Sequence, residues 1–244
     1  MDDIYINELR TMKFFSRSEL FQAMCRYGAR ISDAAFKRKL QACLKDGTIM
    51  RVGRNMYCIP QKEISVYEHR YSATAKEVAD LVSRKHPFLN FSIFELVQLN
   101  EFVNHQLAHN IIFASVEADI IDFVFDTLKE RYPGRVLISP TKDLYQQYWC
   151  DGMIVLEKLV SEAPMGKPVK WHTRIEKMLV DIMADRLILD TVSQFEYPGI
   201  YMNAFERYAI DESCMFRYAK RRGAERDIRG LIRAKTDIVL RTEN

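Results

Sequence analysis

Apolar positions recur at helical spacing twice near the start of the chain, at Leu20, Phe21 and Met24 and again at Phe36, Leu40, Cys43 and Leu44. That spacing predicts two helices. Ser16-x-x-Glu19 has the form of a capping box, so the first helix should run from Arg17 to about Tyr27, with Gly28 as its stop. Ser32 caps the second, from Asp33 to about Asp46, which Gly47 ends. Two strand-like runs come next, 48–52 and 56–59, on either side of Gly53-Arg54-Asn55. Two helices separated by a short turn and followed by a hairpin read as a winged helix-turn-helix.

Beyond a connector at 61–71 the pattern alternates. Helices are predicted at 73–85, 119–131, 142–149 and 174–185, and strands at 91–94, 111–116, 135–139 and 153–160. In the helix at 119–131 the inward positions are Ile120, Phe123, Val124 and Leu128. Two longer helices, 192–208 and 213–234, close the chain. The fold class is therefore α/β (α+β): an N-terminal winged helix-turn-helix at 1–62, then a larger α/β domain at 72–244 with a helical C-terminal half.

Charge changes this picture more than composition does. Across 244 residues with 48 % apolar content the net charge is +3, which hides a strong division. Residues 1–60 carry eleven Lys/Arg against six Asp/Glu, and residues 217–244 carry nine against four, so the stretch between them is acidic. Basic ends suit a polyanion partner. The N-terminus begins with acidic Asp2 and Asp3, with no signal-like or membrane-length apolar run, so a cytoplasmic location with no membrane partner is expected. Five cysteines, far apart and without a Cys-x-x-Cys pair, argue against a disulfide framework and a zinc ribbon.

On the second helix the face opposite the apolar stripe holds Ala34, Arg38, Gln41 and Lys45, flanked by Lys37. A small residue at the start of a basic face suits entry into a major groove. Arg38 and Gln41 are the types that read base edges, while Lys37, Lys39 and Lys45 suit phosphates; Arg51 and Arg54 of the hairpin are placed for the backbone or minor groove. The candidate DNA-binding residues are thus Ser32, Lys37, Arg38, Gln41, Lys45, Arg51 and Arg54. A second basic cluster, Arg217, Lys220, Arg221 and Arg222, is a candidate phosphate or partner site, set against internal pairing such as Arg221 with Glu225.

Three patterns in the body have an enzymatic reading and a plainer one. Glu101, His105 and His109 would share one helix face and suit zinc, but Gln106 stands where a zinc peptidase has glutamate, and a polar helix face is the simpler account. Glu117, Asp119, Asp122, Asp151 and Glu157 lie near strand ends, as metal-binding carboxylates of a nuclease do, yet solvated carboxylates suffice. Glu176, Lys177, Asp181 and Asp185 read as a charged outer face. No phosphate loop or nucleophile motif is present, so no catalytic residue, metal or cofactor is assigned.

Several segments carry a family likeness. Phe15-Ser16-x-x-Glu19-Leu20 and Lys45-Asp46-Gly47-Thr48-Ile49-x-Arg51-x-Gly53-Arg54-x-x-Tyr57 resemble the N-terminal winged helix of AbiEi-type antitoxins. His86-Pro87-Phe88, Leu99-Asn100-Glu101-Phe102, Val160-Ser161-Glu162-Ala163-Pro164, Glu176-Lys177-x-Leu179-Val180-Asp181 and Arg217 to Arg222 resemble C-terminal regions found with that head. The resemblance implies a type IV toxin–antitoxin role in bacterial abortive infection. The head would bind operator DNA and repress its own operon. The C-terminal domain would counteract a cognate nucleotidyltransferase-like toxin, with direct contact left open and a homodimer as one assembly. The alternatives are a ligand-sensing winged-helix regulator and a metal-dependent nuclease or nucleotidyltransferase in the body, built on Glu117, Asp119 and Asp122.

Overall fold

The computed structural model describes residues 4–12, 14–27, 31–59 and 66–240, with the side chain of Ile4 left aside. The Gly28 stop and most of the connector lie outside these residues. The chain divides into two units. The first runs to Val66 and also takes in Phe205–Cys214 and a C-terminal stretch from Val239; the second is Tyr67–Ala204 with Met215–Ile238. The linear division at 62 and 72 gives those returning segments to the body, because a sequence pattern does not show which core a late segment joins.

In the first unit the order is α1 (Ile4–Leu9), β1 (Phe15–Ser16), α2 (Arg17–Tyr27), α3 (Asp33–Lys45), β2 (Met50–Gly53) and β3 (Met56–Cys58). The three strands pair antiparallel in the order β1-β3-β2. The capping box forms as its spacing requires: Ser16 Oγ accepts from Glu19 N at 3.1 Å, and Glu19 Oε2 accepts from Ser16 N at 2.6 Å. α1 and β1 are additions to the predicted pair of helices and hairpin. Tyr5, Ile6 and Leu9 of α1 and Phe15 of β1 join Leu20, Met24, Phe36, Leu40 and Ile49 in one core. Together they complete the strand and helix order of a winged helix.

The second unit is built on a four-stranded sheet, β4 (Phe91–Glu95), β5 (Ile111–Val116), β6 (Val136–Ile138) and β7 (Met153–Lys158), in the order β4-β5-β7-β6. β4 is antiparallel to β5; β5 and β6 both lie parallel to β7. Apart from Ser115, β5 and the first four residues of β7 read as apolar runs because parallel strands at the centre of a sheet are covered on both faces. One face packs Ile112, Ala114, Val116, Ile154 and Leu156 against α4 (Ala73–Lys85) and α5 (Ile121–Arg131). A 3₁₀ turn, Ala118–Ile120, precedes α5, so its inward stripe is Ile121, Val124 and Leu128, while Phe123 is exposed.

The remaining helices are α6 (Lys142–Gln147), α7 (Ile175–Ala184), α8 (Arg186–Thr191), α9 (Tyr197–Arg207), α10 (Glu212–Arg222) and α11 (Glu225–Lys235). The two long helices predicted at 192–208 and 213–234 are thereby corrected. Residues 192–196 separate α8 from α9, and Gly223, at φ +71°, turns the chain between α10 and α11. The segment Met165–Thr173 folds back on itself, Met165 bridging Thr173, and its end forms a strap beside β4, where Ile93 N donates to Trp171 O at 2.8 Å and Ile93 O accepts from Tyr71 OH and Thr173 Oγ1. All five thiols are free, and no helix among the described residues is long and apolar enough to cross a membrane.

Candidate functional site

The exposed face of α3 is the most coherent polar surface of the first unit. Phe36, Leu40 and Cys43 turn inward, which leaves Ala34, Lys37, Arg38, Gln41 and Lys45 exposed. Ser32 caps the helix by accepting from Ala35 N at 3.3 Å, so its hydroxyl is first a structural group. Lys37 sits 2.9 Å from Asp33, one turn before it, and its ammonium holds the Asp33 carboxyl below the usual range. Arg17 at the start of α2 reaches the same carboxylate at 3.4 Å and lies over the Phe36 ring. Arg17, Asp33 and Phe36, with Ser16, Ser18, Phe21 and Asn55, line a cleft of about 400 Å³.

On the hairpin, Arg54 and Asn55 form the turn, with Asn55 at φ +58°, and Asn55 O accepts from Arg17 N at 3.1 Å. The tip of the wing is thus tied to the first residue of α2. Arg51 is exposed but its Nε donates to Gly53 O at 3.1 Å, which commits part of the guanidinium to its own strand. The part-exposed Lys39 places its ammonium 4.6 Å from the centre of the Tyr5 ring. The structure therefore gathers Lys37, Arg38, Gln41 and Lys45 on one face, and sets Arg51 and Arg54 on the hairpin.

In the body two expectations are overturned, the shared helix face of Glu101, His105 and His109 and the charged outer face of α7, while Asp119, Asp122 and Asp151 are exposed as solvated carboxylates should be. Glu101, His105 and His109 share no helix: a 3₁₀ turn ends at Glu101, and residues 102–110 are a loop. His105 Nδ1 instead meets Glu196 at 2.7 Å, and His109 packs edge-on to Trp149. Glu117 accepts from Asn90 at 2.7 Å, and among the described residues no three His, Cys, Asp or Glu groups lie close enough to hold a metal ion. The supposed outer face, Glu176, Lys177 and Asp181, is buried, with Lys177 only 2 % exposed. The physical reason is the company these charges keep. Ile175, Met178, Leu179, Val180 and Ile182 are buried all round α7, so no solvent side is left.

The result is a buried charge cluster, which sequence reasoning missed. Ser115 and Glu157 are opposite one another on β5 and β7, on the sheet face away from α4 and α5. Lys177 Nζ donates to Asp181 Oδ2 at 2.6 Å and to Ser115 Oγ at 3.2 Å. Asp181 Oδ1 accepts from Tyr218 OH at 2.8 Å and lies 3.3 Å from Arg222 Nε; Arg222 also reaches Asp185 at 3.7 Å. Asp185 Oδ1 in turn caps α8 at Leu187 N and Ile188 N. Glu157 is not a solvated carboxylate. Burial, then a hydrogen bond with Asp185, push its carboxyl well above the usual range. Burial also raises the Tyr218 phenol, which stays a donor.

The Arg217–Arg222 cluster consequently does not form one surface. Arg222 belongs to the buried cluster, whereas Arg217 and Arg221 both meet Glu162. Glu225 pairs with Arg229, not with Arg221.

Among known proteins, the profile of a family described as "Family of unknown function (DUF6577)" matches residues 35–238. That span begins inside α3 and includes the hairpin, the whole four-stranded sheet, the buried charge cluster and α11. The chain matches no curated protein.

Proposed function

The chain belongs to this family of unknown function, and from its head we propose that it is a DNA-binding antitoxin that represses its own operon. The observation that carries the reading is the exposed face of α3, where Lys37, Arg38, Gln41 and Lys45 stand opposite a buried apolar stripe. In this reading α3 enters a major groove, Arg38 and Gln41 meet base edges, and Lys37 and Lys45 meet phosphates. Arg54, at the wing turn, takes the flanking backbone, and the Asn55–Arg17 bond keeps that turn in place. The α/β body counteracts a nucleotidyltransferase-like toxin in the cytoplasm, as the resemblance to AbiEi-type antitoxins implies. A homodimer would match a repeated operator.

Titration of the DNA upstream of the gene tests the head. Arg38→Ala should weaken binding by about 1–3 kcal/mol and relax sequence preference at one position. Arg54→Ala should weaken all sequences alike and flatten the salt dependence by about one phosphate contact. Wild-type titrations for both variants would remove the head from DNA recognition. Growth rescue tests the body: the full chain carrying both substitutions should still protect cells that express the neighbouring gene. A harmless neighbour, or a toxic one that the chain does not counteract, would sink the antitoxin reading.

A further inference from the structure

Helix α10 carries an arginine fork closed on an internal carboxylate. Arg217 and Arg221 stand one turn apart, with side chains 61 % and 55 % exposed. Arg217 Nε lies 2.8 Å from Glu162 Oε2, and Arg221 Nη2 lies 3.1 Å from Glu162 Oε1. Each oxygen of one carboxylate thus takes one guanidinium. Lys220 is exposed on the same side of the helix, and α11 adds exposed Arg226, Arg233 and Lys235. Glu162 itself sits at φ +64°, a backbone region that non-glycine residues seldom occupy.

Exposed ion pairs are weak and screened by water, so Glu162 orders the two guanidiniums without locking them. A phosphodiester offers two non-bridging oxygens to the same fork, and arginine recognises carboxylate and phosphate by the same planar geometry. The surroundings favour nucleic acid over a protein partner. A protein interface needs an apolar, often aromatic, centre inside its polar rim. Among the described residues of α10 and α11 no large apolar side chain is exposed. Basic charge without such a centre suits a polyanion held through counterion release.

We propose that this face of α10 is a second nucleic-acid contact, in which Arg217 and Arg221 grip a backbone phosphate in place of the Glu162 carboxylate. Lys220 supports the neighbouring phosphate. The contact reads no sequence, and it does not depend on the DNA role of the head.

The test uses the full chain carrying Arg38→Ala and Arg54→Ala, with fluorescence anisotropy over a salt series. The probes are a random-sequence DNA duplex and a single-stranded RNA of equal length. Adding Arg217→Ala with Arg221→Ala should weaken binding to at least one probe about tenfold and flatten its salt slope by about one phosphate contact. Glu162→Gln, which opens the fork, should strengthen the same binding severalfold, and thermal melting should show both variants folded. The probe that responds identifies the source of the phosphate. Unchanged affinity and slope for both probes, no binding of either probe, or weaker binding by Glu162→Gln would each overturn the proposal. Failure of the head reading shows separately, as no difference between the background chain and the wild type.

Discussion

Asp181→Ala should lower the unfolding free energy by about 3–5 kcal/mol, because it leaves buried cations without their counter-charge. Lys177, Tyr218 and Arg222 all converge on this one carboxylate. Lys177 keeps only the Ser115 hydroxyl, a neutral acceptor 3.2 Å away. Arg222 keeps the longer contact to Asp185, whose other oxygen is already occupied in capping α8. The truncation also opens space beneath α10. Thermal unfolding followed by circular dichroism should show a fall in Tm of about 10 °C. A loss below about 1 kcal/mol would mean that water reaches the cluster and repairs it.

Glu95→Ala should cost about 2–4 kcal/mol by removing a buried carboxylate from three part-buried partners at once. Glu95 is fully enclosed at the end of β4. Its Oε2 accepts from Ser72 N at 2.8 Å and faces His69 Nε2 at 3.4 Å, and its Oε1 accepts from Asn110 Nδ2 at 2.6 Å. One carboxylate therefore fixes the start of α4, the end of β4 and the entry to β5. Burial pushes its carboxyl up, but His69, Ser72 and Asn110 together outweigh burial and hold it below the usual 4.5. The folded protein thus binds this proton more weakly than the unfolded chain. Its contribution is complete above about pH 4.5 and is lost as pH falls through the depressed folded-state value. Glu95→Gln should remove that acid dependence while remaining destabilised, since its amide presents N–H groups to donors. Denaturant titrations across the acid range check both statements; an unchanged pH profile in Glu95→Gln would contradict them.

Much of the fold is legible in local pattern. The Ser16–Glu19 box and the Ser32 cap mark the starts of α2 and α3, and β5 appears at its observed limits because a continuous apolar run has few alternatives. α1 and β1 escape because six and two residues are too short to show a period. Of the candidate interface, the α3 face is legible because its apolar and basic residues segregate by angle. The buried charge cluster is not, since Lys177 and Asp181 at i, i+4 have the spacing of a solvated pair. A signal was nevertheless present: α7 is apolar at every angle around those charges, which excludes a wet side. Arg222 could not be separated from Arg217 and Arg221 without knowing that α10 ends at Gly223 and lies against Asp181.

The strap along β4 limits how the body can meet other macromolecules. A bare sheet margin is a template on which an extended peptide, or another copy of the same strand, adds by backbone pairing. At Ile93, midway along β4, both backbone groups are already taken by Trp171, Tyr71 and Thr173. The opposite margin, β6, offers only three residues. Strand augmentation is thus closed at one side and poorly supported at the other, which protects the body from edge-to-edge aggregation. Any macromolecule that engages the body meets helix faces and loops, so its recognition is written in side chains that can be exchanged one at a time.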